Sequence, residues 1–207
     1  MLAVNSSRVY SSVATLTCAA SFVVALAGCG SDTKTPTASS LSVTGAATSS
    51  VAAASACPTA APQSGGTPEW TLAGSNGSVA VTGSTDTAAP RVTVTAPFGV
   101  TETQVHTLRA GDGPVVADTD TVSVCYMGVN GRDGSVFDSS YEQGAPVEFP
   151  LDGVVAGFKK AIAGQKVGST VGVAMTSADG YPNGQPRAGI KAGDTLVFAI
   201  KILAVSQ

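Results

Sequence analysis

The amino-acid sequence predicts a domain of the α+β class, in which an antiparallel sheet covers one short helix. From Thr101 onward most apolar residues alternate with polar ones, which is the pattern of β-strands with one buried face. Only residues 154–163 repeat their apolar side chains at helical spacing. Many strands and a single helix favour an antiparallel sheet with the helix on one face. About 105 residues are involved, which is enough to enclose one hydrophobic core.

The strands of this predicted sheet are short and separated by turns. They lie at residues 102–109, 121–129, 136–138, 147–149, 170–175 and 195–203. Alternation directs a shared set of apolar side chains toward the core: Val122, Val124, Tyr126, Val171, Val173, Met175, Leu196, Phe198, Ile200 and Ile202. It places Cys125 on the opposite face of its strand from Tyr126.

The predicted helix covers residues 154–163. Its apolar face consists of Val154, Val155, Phe158 and Ile162. Asp152 precedes the helix and is a candidate N-cap, because a carboxylate can accept a hydrogen bond from the first free N–H groups. Gly164 follows the helix and is a candidate C′ residue.

Residues 69–100 predict a β or irregular extension that packs partly on this domain. The segments 70–72 and 79–81 have the pattern of short strands, and Asn76-Gly77 between them is a hairpin signal. Residues 91–95 alternate and could add an edge strand.

The first 28 residues are typical of a secretory signal peptide. Arg8 is the only charge, and the apolar and small-residue stretch that follows is shorter than the ~20 residues of a membrane span. The stretch ends in Leu-Ala-Gly-Cys29, which resembles a bacterial lipobox. We therefore expect Cys29 to be lipidated and the protein to be extracytoplasmic and anchored to the cell membrane. The alternative is an ordinary secreted protein cut at an A-x-A site.

Residues 29–68 predict a flexible linker. Beyond the cysteines, their only sizeable apolar residues are Leu41, Val43 and Val51, among Ser, Thr, Ala, Pro and Gly. Such a composition cannot bury enough surface to offset the conformational entropy of the chain. The resulting organisation is a signal peptide (1–28), a linker (29–68), an extension (69–100) and a folded domain (101–207).

Composition excludes several classes of function. The net charge is −3 and only 12% of residues are charged, without a basic run, so nucleic-acid binding is disfavoured. His106 is the only histidine, and we interpret it as a surface strand residue rather than a catalytic base. The chain has neither a glycine-rich phosphate loop nor metal-ligand spacing, so we expect no cofactor and no metal.

Two cysteines remain once Cys18 leaves with the signal peptide and Cys29 carries lipid. Export permits a disulfide between Cys57 and Cys125, which would attach the linker to the back of the sheet. The alternative is two free thiols, since sequence alone does not give the pairing. Neither cysteine has C-x-x-C spacing, so redox catalysis is disfavoured.

Aromatic residues make up only 5% of the chain, yet seven of them lie in its last hundred or so positions. Six occur in characteristic segments, and the seventh is Tyr141. The segments are V-C-Y-M-G around Tyr126, V-F-D-S-S around Phe137, P-V-E-F-P-L around Phe149, V-V-A-G-F ending at Phe158, D-G-Y ending at Tyr181, and T-L-V-F ending at Phe198. Their order and spacing resemble the FKBP-type peptidyl-prolyl isomerases over about residues 101–205.

This resemblance implies a curved antiparallel sheet wrapped around the helix, with an aromatic pocket that isomerises Xaa-Pro bonds. It implies catalytic roles for Asp138, Tyr181, Val155 and Phe158. It implies that the substrate is bound by Tyr126, Phe137, Phe149, Val154, Ile190 and Phe198. The implied partners are proline-containing unfolded polypeptides, here exported proteins, with macrolides as candidate ligands and the chain acting as a monomer.

Two alternatives remain, and two departures from the family pattern motivate the first of them. The pocket floor, commonly Trp in active members, is Phe158, and the loop after Tyr181 reads P-N-G-Q-P-R. One alternative is a peptide-binding or chaperone module that lacks turnover. The other is a lipoprotein whose linker and extension bind a partner.

Overall fold

A computed structural model describes residues 56–62 and 65–206. The predicted signal peptide, Cys29 and most of the predicted linker lie outside these residues. None of the helices in the described part is long and apolar enough to cross a membrane.

The α+β class is confirmed, and most of the regular structure of the domain lies in one antiparallel sheet. Its strands are β4 (Gln104–Arg109), β5 (Thr121–Asn130), β6 (Val136–Ser139), β7 (Val147–Pro150), β8 (Thr170–Met175) and β9 (Leu196–Ser206). The strand order is β4-β8-β9-β5-β6, and β7 pairs with another stretch of β5. Strand β5 therefore runs through the centre beside β9, with Tyr126 opposite Ile200 and Gly128 opposite Phe198.

Within the described residues two α-helices accompany this sheet, where the sequence predicted one. The added helix α1 (Ser140–Gln143) is a single turn after β6, too short to show helical periodicity. Helix α2 (Ala156–Ile162) is the predicted one. The core between α2 and the sheet contains the side chains that strand alternation directed inward, including Val124, Val173 and Ile200.

The predicted start of α2 is wrong. Val155 is the N-cap and has extended backbone angles, and its carbonyl accepts hydrogen bonds from the N–H groups of Phe158 and Lys159. Asp152 lies three residues earlier and is exposed, so it cannot cap this helix. Gly164 follows the C-cap Ala163 with a φ of 81°, as a C′ glycine does.

The extension, predicted as β or irregular, is a second sheet within residues 70–99. Strands β1 (Trp70–Ala73), β2 (Asn76–Thr82) and β3 (Arg91–Gly99) pair antiparallel in that order. The loop between the paired residues Ala73 and Ser78 includes the Asn76-Gly77 signal. The three-stranded sheet contributes to a second core against the back of the large sheet, formed by Val79, Val81, Phe98, Ala174, Val197 and Ala199.

This packing explains why all six residues of β8 are buried, where alternation predicted burial of only one face. Gly172 of β8 lies beneath Trp70: a Cβ built at Gly172 would lie 2.7 Å from the indole ring. The indole also stacks on His106, with the ring centroids 5.7 Å apart. Trp70 therefore lies on the back face of the large sheet, packed against β8 and His106.

Residues 56–62, which the sequence places in the linker, are attached to the domain. Cys57 forms a disulfide with Cys125, with 5.7 Å between the Cα atoms, so the free-thiol alternative is wrong. The Cys57 N–H also donates to the Gly144 carbonyl at 3.1 Å, and the Ala89 N–H donates to the Ala60 carbonyl at 2.9 Å. The bridge lies on the opposite face of β5 from Tyr126, as alternation predicted.

Candidate functional site

The front of the large sheet and helix α2 enclose a cavity of about 320 Å³. Strands β5, β6, β7 and β9, the start of α2 and the loop before β9 all contribute to it. The lining residues are Tyr126, Phe137, Asp138, Phe149, Gly153, Val154, Val155, Phe158, Tyr181 and Phe198. The structure thus brings together nine of the ten predicted pocket residues.

Ile190 is the predicted pocket residue that does not line this cavity. It is buried in the core between α2 and the sheet, and its backbone pairs with that of Gln185. A large apolar residue near the end of a loop gives the same sequence signal whether it faces a rim or a core. Gly153 also lines the cavity, and the residue pattern did not indicate it because its contribution is backbone.

Phe158 is the centre of the aromatic lining. Its ring centroid lies 5.5 Å from that of Phe198, 5.6 Å from that of Phe149 and 6.0 Å from that of Tyr126. All three pairs meet edge to face, the arrangement that the aromatic quadrupole favours. Helix α2 places Phe158 there because it presents one apolar face to the sheet. The floor of the cavity is therefore apolar and closely packed.

The wall opposite the helix depends on a glycine. Gly128 of β5 pairs with Asp138 on one side and Phe198 on the other. A Cβ at Gly128 would lie 2.6 Å from the ring of Phe137 and 2.9 Å from that of Phe198. The absence of a side chain lets these two rings meet edge to face, 5.5 Å apart. The sequence pattern did not indicate this role of Gly128.

One polar pair lies in this apolar surface. The Tyr126 hydroxyl donates to Asp138 Oδ2 at 2.5 Å. Burial, followed by the hydrogen bond and negative charge of Asp138, raises the pKa of Tyr126 well above its usual value. The hydroxyl therefore stays protonated at physiological pH and remains a donor to the carboxylate. Ser140 fixes the other end of Tyr126, because its Oγ accepts the Tyr126 backbone N–H at 2.9 Å.

Two hydrogen-bond donors at the cavity are free to meet a ligand. Within the described residues, neither the backbone N–H of Val155 nor the hydroxyl of Tyr181 has a hydrogen-bond partner. The Val155 N–H is free because it precedes the first turn of α2. These two donors in an otherwise aromatic lining suit a ligand that is mostly apolar and carries carbonyl groups.

The loop that carries Tyr181 begins at a second charged group. Asp179 accepts hydrogen bonds from Lys160 Nζ at 2.7 Å and from Thr103 Oγ1 at 2.5 Å. The bond from Lys160 and then that from Thr103 hold the pKa of Asp179 below its usual value. This links helix α2 to the loop directly before Tyr181. Among the described side chains, no three His, Cys, Asp or Glu residues come together as a metal site would require.

Comparison with known proteins agrees with this geometry. Residues 113–203 match the family model described as FKBP-type peptidyl-prolyl cis-trans isomerase. The FK506-binding protein of Streptomyces anulatus is 36% identical over 98 residues, which are 46% of this chain and 79% of that protein. The chain belongs to the FKBP-type isomerase family. Other members are longer than the Streptomyces protein. The FKBP-type 22 kDa isomerase of Escherichia coli is 36% identical over 102 residues, which are 49% of this chain and 49% of that protein.

The family match is confined to the part of the chain that holds the cavity. A probable FKBP-type isomerase of Haemophilus influenzae is 38% identical over 97 residues, which are 47% of this chain and 40% of that protein. The chain thus spans about half the length, or less, of several FKBP-type relatives that it matches. A crystal structure of FkpA from Escherichia coli has a TM-score of 0.44 and 36% identity, and the match covers 50% of this chain and 47% of that one.

Proposed function

We propose that this domain is a peptidyl-prolyl cis-trans isomerase. The observation that carries the proposal is the aromatic cavity closed by Phe158, with the Tyr126–Asp138 pair and two free donors at its lining. A planar Xaa-Pro amide is held by resonance behind a barrier of about 18–20 kcal/mol. Twisting the C–N bond removes that resonance and the charge separation that accompanies it. A dry, weakly polar pocket therefore binds the twisted amide better than the planar one.

The residues take distinct roles in this mechanism. Phe158 forms the floor under the proline ring, and the other aromatic side chains exclude water from the amide. The Val155 N–H and the Tyr181 hydroxyl donate to carbonyl groups of the substrate, and Asp138 holds Tyr126 in place and faces the bound chain. Rotation about the amide makes and breaks no covalent bond, so the reaction requires neither a nucleophile nor a proton transfer.

The test is the cis-to-trans relaxation of an Xaa-Leu-Pro-Phe peptide. We expect the native protein to accelerate it and Asp138→Val to lower kcat/KM by roughly tenfold, because the variant leaves the buried Tyr126 hydroxyl without its acceptor, a loss of about 1–3 kcal/mol. Glu148→Val is the matched control, since Glu148 is an exposed carboxylate beside a cavity residue. A folded native domain without acceleration would leave the peptide-binding module as the better account.

The proposed setting is the outer face of a bacterial membrane, where the substrates are exported chains and the enzyme acts as a monomer. The disulfide supports an oxidising compartment, and the Leu-Ala-Gly-Cys29 segment supports a lipid anchor. Macrolides, which would occupy the proline site, are candidate ligands.

Replacing Cys29 should therefore release the protein from the membrane. In a bacterial host that processes lipoproteins, we expect the native protein in the membrane fraction after carbonate washing and Cys29→Ala in the soluble or secreted fraction. Cys18→Ala is the control, because Cys18 lies within the predicted signal peptide. A Cys29→Ala variant that stays in the membrane fraction would contradict the anchor.

A further inference from the structure

The loop between Tyr181 and Asp194, here called the Tyr181 loop, determines where the Tyr181 hydroxyl stands. Little of it is regular structure. Among its internal hydrogen bonds, the Gly184 N–H donates to the Tyr181 carbonyl at 2.9 Å. Ser177 Oγ joins the two ends of the loop, because it donates to the Tyr181 carbonyl at 3.2 Å and accepts from the Gly193 N–H, next to Asp194, at 3.1 Å. These bonds shape the loop, but they do not attach it to the sheet that carries the remaining pocket walls.

A buried carboxylate makes that attachment. The Asp194 side chain is only 7% exposed. Its Oδ2 accepts hydrogen bonds from Asn130 Nδ2 and from the Lys191 N–H, both at 2.8 Å. Asn130 is the last residue of β5, the strand that carries Tyr126, and Lys191 belongs to the Tyr181 loop. Asp194 therefore joins the loop to the strand.

Arg132 joins the same two elements a second time. Its Nε lies 3.2 Å from Asp194 Oδ1 and 3.3 Å from Oδ2, and its Nη2 donates to the Gly189 carbonyl at 3.0 Å. The Arg132 backbone N–H donates to Asn130 Oδ1 at 2.9 Å, which fixes the start of its side chain. One planar guanidinium thus holds both a carboxylate and a carbonyl, a geometry that the single ammonium of lysine does not reproduce.

The charge state of Asp194 agrees with this geometry. Burial alone would raise its pKa, but the hydrogen bonds from Asn130, the Lys191 N–H and Arg132 together hold the pKa below its usual value. The carboxylate is therefore ionised at physiological pH. A buried carboxylate requires such partners, and here every partner comes from the loop or from the end of β5 and the turn that follows it.

We propose that Arg132 and Asp194 are positioning residues of the isomerase, which act by placing the Tyr181 hydroxyl against the substrate carbonyl. This inference rests on the proposed function. Neither residue lines the cavity, so both would act through the loop rather than on the substrate. The inference extends the active site to an ion pair on its outer side that lies outside the six aromatic segments described above.

A double-mutant cycle between Arg132 and Tyr181 tests the inference. Arg132 is the better residue to replace, since its side chain is 35% exposed and that of Asp194 is buried. We expect Arg132→Ala to lower kcat by about fivefold with little change in KM. The reason is that the variant weakens the hydrogen bond from the Tyr181 hydroxyl to the substrate carbonyl, which is made mainly in the transition state. Arg132→Lys should recover only part of that loss.

The decisive measurement is Arg132→Ala in the Tyr181→Phe background. If Arg132 acts through Tyr181, adding Arg132→Ala to the Tyr181→Phe variant should change the kcat of that variant by less than twofold. Arg109→Ala is the control, because Arg109 also pairs with a carboxylate, Glu69 Oε1 at 3.1 Å, but lies away from the loop. We expect that variant to keep the native kcat.

Each other outcome of the cycle overturns the inference and has a different consequence for the proposed function. If the effects of Arg132→Ala and Tyr181→Phe on kcat multiply in the double variant, Arg132 does not act through Tyr181. The proposed isomerase function would be unaffected by that result. An unchanged kcat in Arg132→Ala would have the same meaning. A native protein without isomerase activity would remove the proposed function and the positioning role together.

Discussion

Replacing both Cys57 and Cys125 with serine should lower the free energy of unfolding by about 4 kcal/mol. The bridge joins residues 68 positions apart, and a loop of that length removes about this much conformational free energy from the unfolded chain. The measurement is urea denaturation of the oxidised native protein and of the double serine variant. A reductant should shift the native midpoint to that of the variant and leave the variant unchanged.

The structure around the bridge indicates what is lost with it. Cys57, Cys125 and Tyr141 form a small core on the back of β5, and the Tyr141 hydroxyl donates to Ser84 Oγ at 2.9 Å. Burial raises the pKa of Tyr141 to about 12, so this hydroxyl also remains protonated. Without the bridge, residues 56–62 would be held by a few hydrogen bonds, and we expect them to exchange amide hydrogen faster.

The same variant should keep most of its isomerase activity under conditions where it is folded. Cys125 lies on the opposite face of β5 from Tyr126, so its replacement does not open the cavity. We expect kcat/KM to change by less than twofold. A stability loss below about 1 kcal/mol would contradict the loop-closure account of the bridge.

Much of the fold and pocket could be predicted because the relevant signals are local. Alternation in β5 and β9 identified Tyr126 and Phe198 as inward-facing, and helical spacing identified Phe158. The sequence predicted strands at residues 70–72, 79–81 and 91–95, but not that they form one sheet on the back of β8 and β9. The small residues there, such as Ala174 and Ala199, fit a covered surface as well as an exposed one.

The remaining site features could not be predicted because they depend on contacts between distant residues. Arg132 and Asp194 lie 62 positions apart, and each taken alone has the pattern of a surface loop residue. Helix α2 begins after Val155 and not at the predicted residue 154, because the Val155 backbone, and not a capping side chain, begins the first turn. Gly128 matters through the two rings that meet above it, which only the strand register reveals.

Replacing Phe158 with alanine should have the largest effect on the pocket, in both stability and activity. Phe158 is 5% exposed and contacts three aromatic rings, so truncation should lower the free energy of unfolding by about 3 kcal/mol. This loss of stability lies at the lower end of the range for truncation of a buried phenylalanine, because water from the open cavity can fill the space that the ring leaves. We expect kcat/KM to fall by roughly a hundredfold, since the proline ring then loses its floor and the amide is no longer dry.

Phe158→Leu separates the two effects, because leucine keeps a buried apolar side chain but removes the flat ring. We expect it to lose about 1–2 kcal/mol of stability and roughly tenfold in kcat/KM. Phe98→Leu is the matched control: Phe98 is equally buried, but it packs between the two sheets and away from the cavity. It should lose similar stability and keep its activity. If Phe98→Leu lost as much activity as Phe158→Leu, catalysis would depend on overall stability rather than on the aromatic floor.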